Sequence, residues 1–224
     1  EGRTDRFTEW GSALALSLEP VRPPEMQRRI QTAGAEVRQF ITGLFEERRQ
    51  MGDPGEDVLG RLLAARDGED RLTDEELVAT TILLLGAGFE TTVNLIGSGT
   101  LALLRHPEQL RIVAEDPDNT VGNAVEELLR FDSPVQMTGR LAWEDSDLAG
   151  STLPGGTPVM VLLGAGNRAP DVVERPEVLD VTRPNAKAHL AFSSGVHHCL
   201  GAPLARLEAQ TAFAQLLSRF PDLR

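Results

Sequence analysis

The stretch that decides the fold is Phe192-Ser193-Ser194-Gly195-Val196-His197-His198-Cys199-Leu200-Gly201, followed by Ala202-Pro203 and a run with helical spacing. It contains the only cysteine of the 224-residue chain. A lone cysteine cannot close an internal disulfide. Flanked by Gly195 and Gly201 just ahead of a helix, Cys199 stands where the helix field favours negative charge, the charge a thiolate carries. A thiolate placed this way serves as a nucleophile or as a metal ligand, and this stretch does not choose between them.

Reading outward, residues 202–220 form the last helix. Upstream, Gly164 to Leu190 is proline-rich and irregular. Val135 to Trp143 and Thr157 to Leu163 have strand character, with Gly and Pro turns between them. Before Pro134 the pattern is helical throughout. Helices are expected over Asp5 to Leu18 (Phe7, Trp10, Leu14 and Leu18 on one face), Glu25 to Gln50, Asp57 to Arg66, 73–105, Pro107 to Glu115 and 120–131. Pro20, Pro23 and Pro24 break the first from the second, and Gly52-Asp53-Pro54-Gly55 and Asp67-Gly68-Glu69-Asp70 read as turns. Thr73-Asp74-Glu75-Glu76 is a capping box that opens the long central helix. The fold class is mainly α with a small β element.

Composition narrows the function. The formal net charge of −12 argues against nucleic acid and against anionic lipid as partners. One cysteine suits a reducing cytosol, and Glu1 to Arg6 does not read as a signal peptide. The most apolar run, Thr80 to Phe89, ends at Glu90 and is too short by itself to span a bilayer. No membrane partner is expected, and the chain reads as cytoplasmic.

Two further pieces carry chemistry. Gly86-Ala87-Gly88-Phe89-Glu90-Thr91-Thr92 lies in mid-helix, where each glycine costs about 1 kcal/mol relative to alanine. Such a stretch lets a partner approach the backbone, or opens the hydrogen-bond ladder. Glu90 and Thr91 then place an acid and an alcohol where they can relay protons. The plain alternative is a small-residue helix crossing, with Glu90 in an ion pair and Thr91 bonded back to a carbonyl. Glu127-Leu128-Leu129-Arg130 sets an acid and a base on one helix face. That is an ordinary surface pair unless it is buried. His197, His198 and Cys199 are adjacent, but a structural zinc wants four ligands at recurring spacing. A Cys-His nucleophile wants an orienting group and an oxyanion donor that nothing marks here.

In this order, the pieces resemble the cytochrome P450 family of haem-thiolate monooxygenases, most closely its soluble bacterial members. Ala87-Gly88-x-Glu90-Thr91-Thr92 resembles the oxygen-activation motif, Glu127-x-x-Arg130 the structural Glu-x-x-Arg, and Phe192-x-x-Gly195-x-x-x-Cys199-x-Gly201 the haem-binding loop. Leu103-Leu104-Arg105-His106-Pro107-Glu108 and Gly201-Ala202-Pro203-Leu204-Ala205-Arg206 resemble bacterial members as well.

The resemblance implies haem b (iron protoporphyrin IX) as cofactor, with Cys199 as the axial ligand of its iron. It implies that Phe192 packs beneath the porphyrin and that Gly195 and Gly201 let backbone approach the sulfur. His197 and Arg140 would meet the propionates, where the alternative for Arg140 is a solvated strand arginine. Ala87 and Gly88 would leave room for O2, and Glu90 and Thr91 would deliver protons. Leu84, Ala87, Val135 and Gln136 would face a small organic substrate, and electrons would come from a ferredoxin-type donor. His106 and His189 read as structural, and His198 as local to the loop.

Residues 1–224 would then be a partial P450 domain, the C-terminal portion of the fold, truncated at both ends, with the early sheet and helices and the final strands outside it. The competing expectations are a truncated, non-catalytic piece that does not bind haem productively, and a Cys-His hydrolase or transferase. Two positions depart from the family pattern. Val178 falls where a second arginine is expected beside Glu127 and Arg130, with Arg175 and Arg183 as candidate replacements. Ala169 stands where an acidic residue is expected.

Overall fold

A computed structural model describes residues 2–19, 21–64, 72–221 and 223, with backbone alone at 2–4 and 18. Pro20, the last residues expected in the third helix (65 and 66) and the turn at 67–70 lie outside the described residues. The chain divides into two compact units, Glu1–Glu90 and Thr91–Arg224.

In the first unit, α1 (Gly2–Ala15) runs into a short 3-10 turn at Leu16–Leu18, and α2 spans Pro24–Met51. Proline opens α2 because the first-turn N–H has no helical partner to lose. Gly52 closes it at φ +70, a left-handed conformation that a Cβ would oppose. α3 spans Val58–Ala64. The core joins Trp10, Ala13, Val37, Ile41, Phe45 and Leu77, with Phe7, Trp10 and Phe40 in mutual ring contact. The Trp10 indole donates to Glu36 at 2.8 Å, the partner a buried Trp N–H needs.

The long helix α4 (Asp74–Arg105) begins in the first unit and ends in the second. Its cap is the expected box: the Thr73 N–H donates to Glu76 Oε2 at 2.8 Å, and the Glu76 N–H donates to Thr73 Oγ1 at 3.2 Å. The helix is unbroken through Gly86–Thr92, so the ladder does not open there. A Cβ on Gly11 would lie 2.5 Å from the Phe89 ring, so glycine sets how closely α1 meets the turn that carries Glu90. Among the described residues α4 is the one helix long and apolar enough, by length and composition, to cross a membrane. The expectation drawn from Thr80–Phe89 stopped at Glu90, whereas the apolar pattern resumes beyond it.

In the second unit, α5 (Pro107–Glu115) and α6 (Pro117–Phe131) each start on proline. α6 therefore begins three residues earlier than expected, since Pro117 at the first turn initiates rather than breaks. Strand β1 (Thr138–Leu141) pairs antiparallel with β4 (Pro158–Val161), with Arg140 opposite Val159. Both are shorter than the stretches expected. Between them lies an unforeseen hairpin of β2 (Ser146–Leu148) and β3 (Ser151–Leu153). Its two turn residues, Ala149 and Gly150, both have positive φ, the twist a two-residue hairpin needs. Ala149 is a poor signal for that turn, which hides it in sequence.

A four-residue helix α7 (Leu163–Gly166) and a 3-10 turn at Ala186–Ala188 interrupt the irregular segment, and α8 (Ala202–Arg219) closes the fold. Leu103, Val125, Leu128, Phe192 and Phe213 belong to one core that joins these helices to the loop before Cys199. α8 meets α4 at Gly99, where a Cβ would lie 2.7 Å from Phe213 Cζ and 3.1 Å from Leu128 Cδ1. Gly99→Ala should therefore cost about 1–3 kcal/mol by overpacking, read as a lowered thermal midpoint. An unchanged midpoint would show that Phe213 has room to yield.

Candidate functional site

The loop that carries Cys199 is closed by its own backbone. The Cys199 N–H donates to Phe192 O at 2.9 Å, and the His198 N–H donates to Gly195 O at 3.0 Å. Ser193 and Gly195 adopt positive φ, 60° and 67°. The left-handed region suits Gly195 and explains glycine there. Gly195–His197 forms one 3-10 turn, after which Gly201 caps α8, with an added Cβ 3.8 Å from the Cys199 sulfur. Cys199, His197 and His198 are exposed. Phe192, beneath them, is buried in the second-unit core.

The irregular segment upstream of the loop is held by a buried ionic cluster. Glu127 and Arg130 are 0 % and 1 % exposed, not a surface pair. Arg130 Nε donates to Glu127 Oε2 at 2.7 Å and Nη2 to Oε1 at 2.8 Å. The third member is Arg183, whose Nε donates to both Glu127 oxygens at 3.1 and 3.2 Å. This corrects the gap expected at Val178. The chain bends so that the Val178 carbonyl accepts from Arg130 (3.1 Å) and Arg183 (2.9 Å), and the guanidinium arrives from five residues on. Arg130 also donates to Asn167 O and Pro176 O, which anchors the irregular segment. Where an acid was expected at Ala169, the neighbouring Arg168 lies over the Phe131 ring and donates to Phe131 O at 2.8 Å.

A second buried cluster was not legible as one. Glu126 accepts from Arg206 Nε at 2.7 Å and Nη2 at 3.1 Å, and its Oε2 lies 3.0 Å from His189 Nε2. Burial alone would raise its carboxyl. The hydrogen bonds from His189 and Arg206, with the Arg206 charge, outweigh burial and hold it at about 2. The available signal was Glu126 itself, an acid directly beside the motif acid. His189, read as structural, is part of this cluster. The cluster borders an open cavity of about 520 Å³, lined by Gly122, Asn123, Glu126, Lys187, Arg206 and Gln210.

The other expected site residues fall as follows. Ala87 and Gly88 are exposed on α4, and a Cβ on Gly88 would meet nothing within 4 Å. Glu90 is half-buried at the end of the first unit, and Thr91 is half-buried at the start of the second. Arg140 is exposed on β1 and donates to Thr138 Oγ1 and Gly139 O, both at 2.8 Å. Among the described residues no carboxylate pairs with it. His106 lies 2.8 Å from Ala102 O and makes an edge contact with Phe131, a structural role.

The donor set fits haem. A soft thiol stands on an exposed loop beside Val196 and Leu200, which are 97 % and 86 % exposed. Together they offer an apolar face to a flat macrocycle. Among the described residues no three His, Cys, Asp or Glu side chains converge on a metal position. A mainly helical chain with one thiol ahead of a long helix and a buried Glu-Arg-Arg cluster has the outline of the haem-thiolate proteins.

Comparison with known proteins agrees. The family model for Cytochrome P450 matches residues 12–221. The biotin biosynthesis cytochrome P450 of Bacillus subtilis (strain 168) is 44 % identical over 220 residues, 98 % of this chain and 54 % of that protein. The 6-deoxyerythronolide B hydroxylase of Saccharopolyspora erythraea is 42 % identical over 218 residues, 97 % of this chain and 52 % of that protein. The crystal structure of P450BioI with hexadec-9Z-enoic acid ligated acyl carrier protein aligns at a TM-score of 0.91 and 42 % identity, covering 99 % of this chain and 56 % of that one. The chain belongs to the cytochrome P450 family. It spans about half the length of the curated relatives it matches.

Proposed function

We propose that residues 1–224 are a partial P450 domain of a haem-thiolate monooxygenase. The parent reaction inserts one atom of O2 into a small organic substrate, with electrons from a ferredoxin-type donor in the cytoplasm. The observation that carries the reading is Cys199: the sole thiol, exposed, in a loop closed on Phe192, at the start of an 18-residue helix.

The cofactor would be haem b, with Cys199 as the residue that would hold its iron through sulfur. When bound, it supplies the binding and reductive activation of O2. The chain's own residues do the rest. Phe192 packs beneath the ring, and Gly195 and Gly201 keep the backbone close to the sulfur so that its hydrogen bonds tune it. His197 and Arg140 bind propionate carboxylates through charge-assisted bonds. Arg140 suits this because it now holds only neutral oxygens. Ala87 and Gly88 leave space for O2, since neither carries a side chain beyond Cβ. Glu90 holds a proton and Thr91 passes it on. Leu84, Val135 and Gln136 face the substrate by the same resemblance. The helices at 74–105, 117–131 and 202–219, with the loop at 192–201, are the parts that hold this arrangement.

The experiment is reconstitution of the chain with haem, followed by reduction and CO. A thiolate-type Soret band is expected, and Cys199→Ser should abolish it. A soluble chain that takes up no haem would overturn haem binding by residues 1–224 on their own.

A further inference from the structure

Glu126 stands beside the Glu127 cluster but faces a different set of residues. It is 2 % exposed, and both its oxygens are committed. Arg206, from the second turn of α8, forks onto it through Nε and Nη2. His189, three residues before Phe192, reaches it through Nε2. The His189 tautomer is set by its other nitrogen: Nδ1 accepts from the Ala191 N–H at 3.1 Å, so Nε2 carries the hydrogen and donates to Glu126.

The two groups that this carboxylate orients both contact Phe192. The Arg206 guanidinium carbon lies 4.5 Å from the Phe192 ring centroid, and the His189 ring lies 5.8 Å from it. Phe192 in turn accepts the Cys199 N–H through its carbonyl. Three short links thus run from a buried charge to the backbone of the cysteine. Arginine suits the middle link because a planar guanidinium can fork onto a carboxylate and lie over an aromatic ring at once, which an ammonium cannot do.

We propose that Glu126, through Arg206 and His189, is a positioning residue for the Cys199 loop: it clamps Phe192 and so fixes where the sulfur stands. Glu126 touches neither the sulfur nor a cofactor. It acts by holding the two groups that hold the ring. The consequence for bound iron rests on the haem-thiolate reading above, but the clamp itself does not.

The test is native-state hydrogen exchange of the haem-free chain, in Glu126→Gln, Arg206→Leu and Arg206→Lys. In Glu126→Gln and Arg206→Leu the Cys199 amide should exchange about tenfold faster or more, while Leu128 and Leu129 inside α6 keep their protection. Arg206→Lys keeps the charge without the fork and should fall between. Uniform loss across α6 and the loop would make the cluster an ordinary contributor to stability and overturn the proposal, as would unchanged exchange at Cys199. If Glu126→Gln does not fold, the two Arg206 variants decide. In the haem-loaded chain, a full thiolate-type CO band in every variant would overturn the placement of the sulfur. No haem uptake even by the unsubstituted chain would defeat haem binding by residues 1–224 and leave the exchange result standing.

Discussion

Glu127→Gln should lower the unfolding free energy of the second unit by about 3–5 kcal/mol. The substitution keeps the shape and removes the charge. Arg130 and Arg183 are then left buried without the carboxylate they share. The Asp180 N–H, which donates to Glu127 Oε1 at 2.9 Å, keeps only an amide as partner. Against a total stability of about 5–15 kcal/mol for a typical domain, this is a large fraction. Urea unfolding followed by circular dichroism measures it. A loss below about 0.5 kcal/mol, the size of a surface change, would show that the cluster relaxes to admit water.

The second large effect is one of pH and belongs to Glu126. Its folded-state carboxyl stands at about 2 against an ordinary 4.5, a gap that corresponds to about 3 kcal/mol. A lowered carboxyl stabilises the fold when ionised. The contribution is therefore complete above about pH 4.5 and is lost as pH falls towards 2. Glu126→Gln should be destabilised by about this amount at pH 7, and the difference between variant and parent should shrink as the acid limb is entered. Unfolding curves collected between neutral pH and pH 3 would show it. A difference that stays constant over that range would mean that the carboxyl is not held low by Arg206 and His189.

These two neighbours also show how far sequence reading reached. Glu127 and Arg130 were visible as a pair three apart on a helix, but that spacing describes a surface pair equally well. Linear register put their third partner at Val178, with Arg175 and Arg183 as replacements, and could not choose between these two in an irregular segment. Arg183 fills the role because the backbone turns there, and a turn of this kind, held by side chains reaching carbonyls, has no periodic signal. Glu126 was passed over for a related reason. Its partners, His189 and Arg206, lie 63 and 80 residues away, and only packing brings them together. The hairpin at 146–153 was missed because Ala149 occupies a left-handed position that glycine or asparagine usually marks.

What the sequence determined by itself is the set of local devices: the capping box at Thr73, the proline-started helices, and above all the Phe192–Gly201 loop with its single thiol. These depend on residue type and short spacing, which a sequence carries directly. What only the tertiary structure decided is which charges are buried and which partners satisfy them. Burial removes the water that would otherwise answer a charge, so the partner must come from elsewhere in the chain. For Glu127 it is Arg183, for Glu126 it is Arg206, and through Phe192 the latter bears on how Cys199 is held.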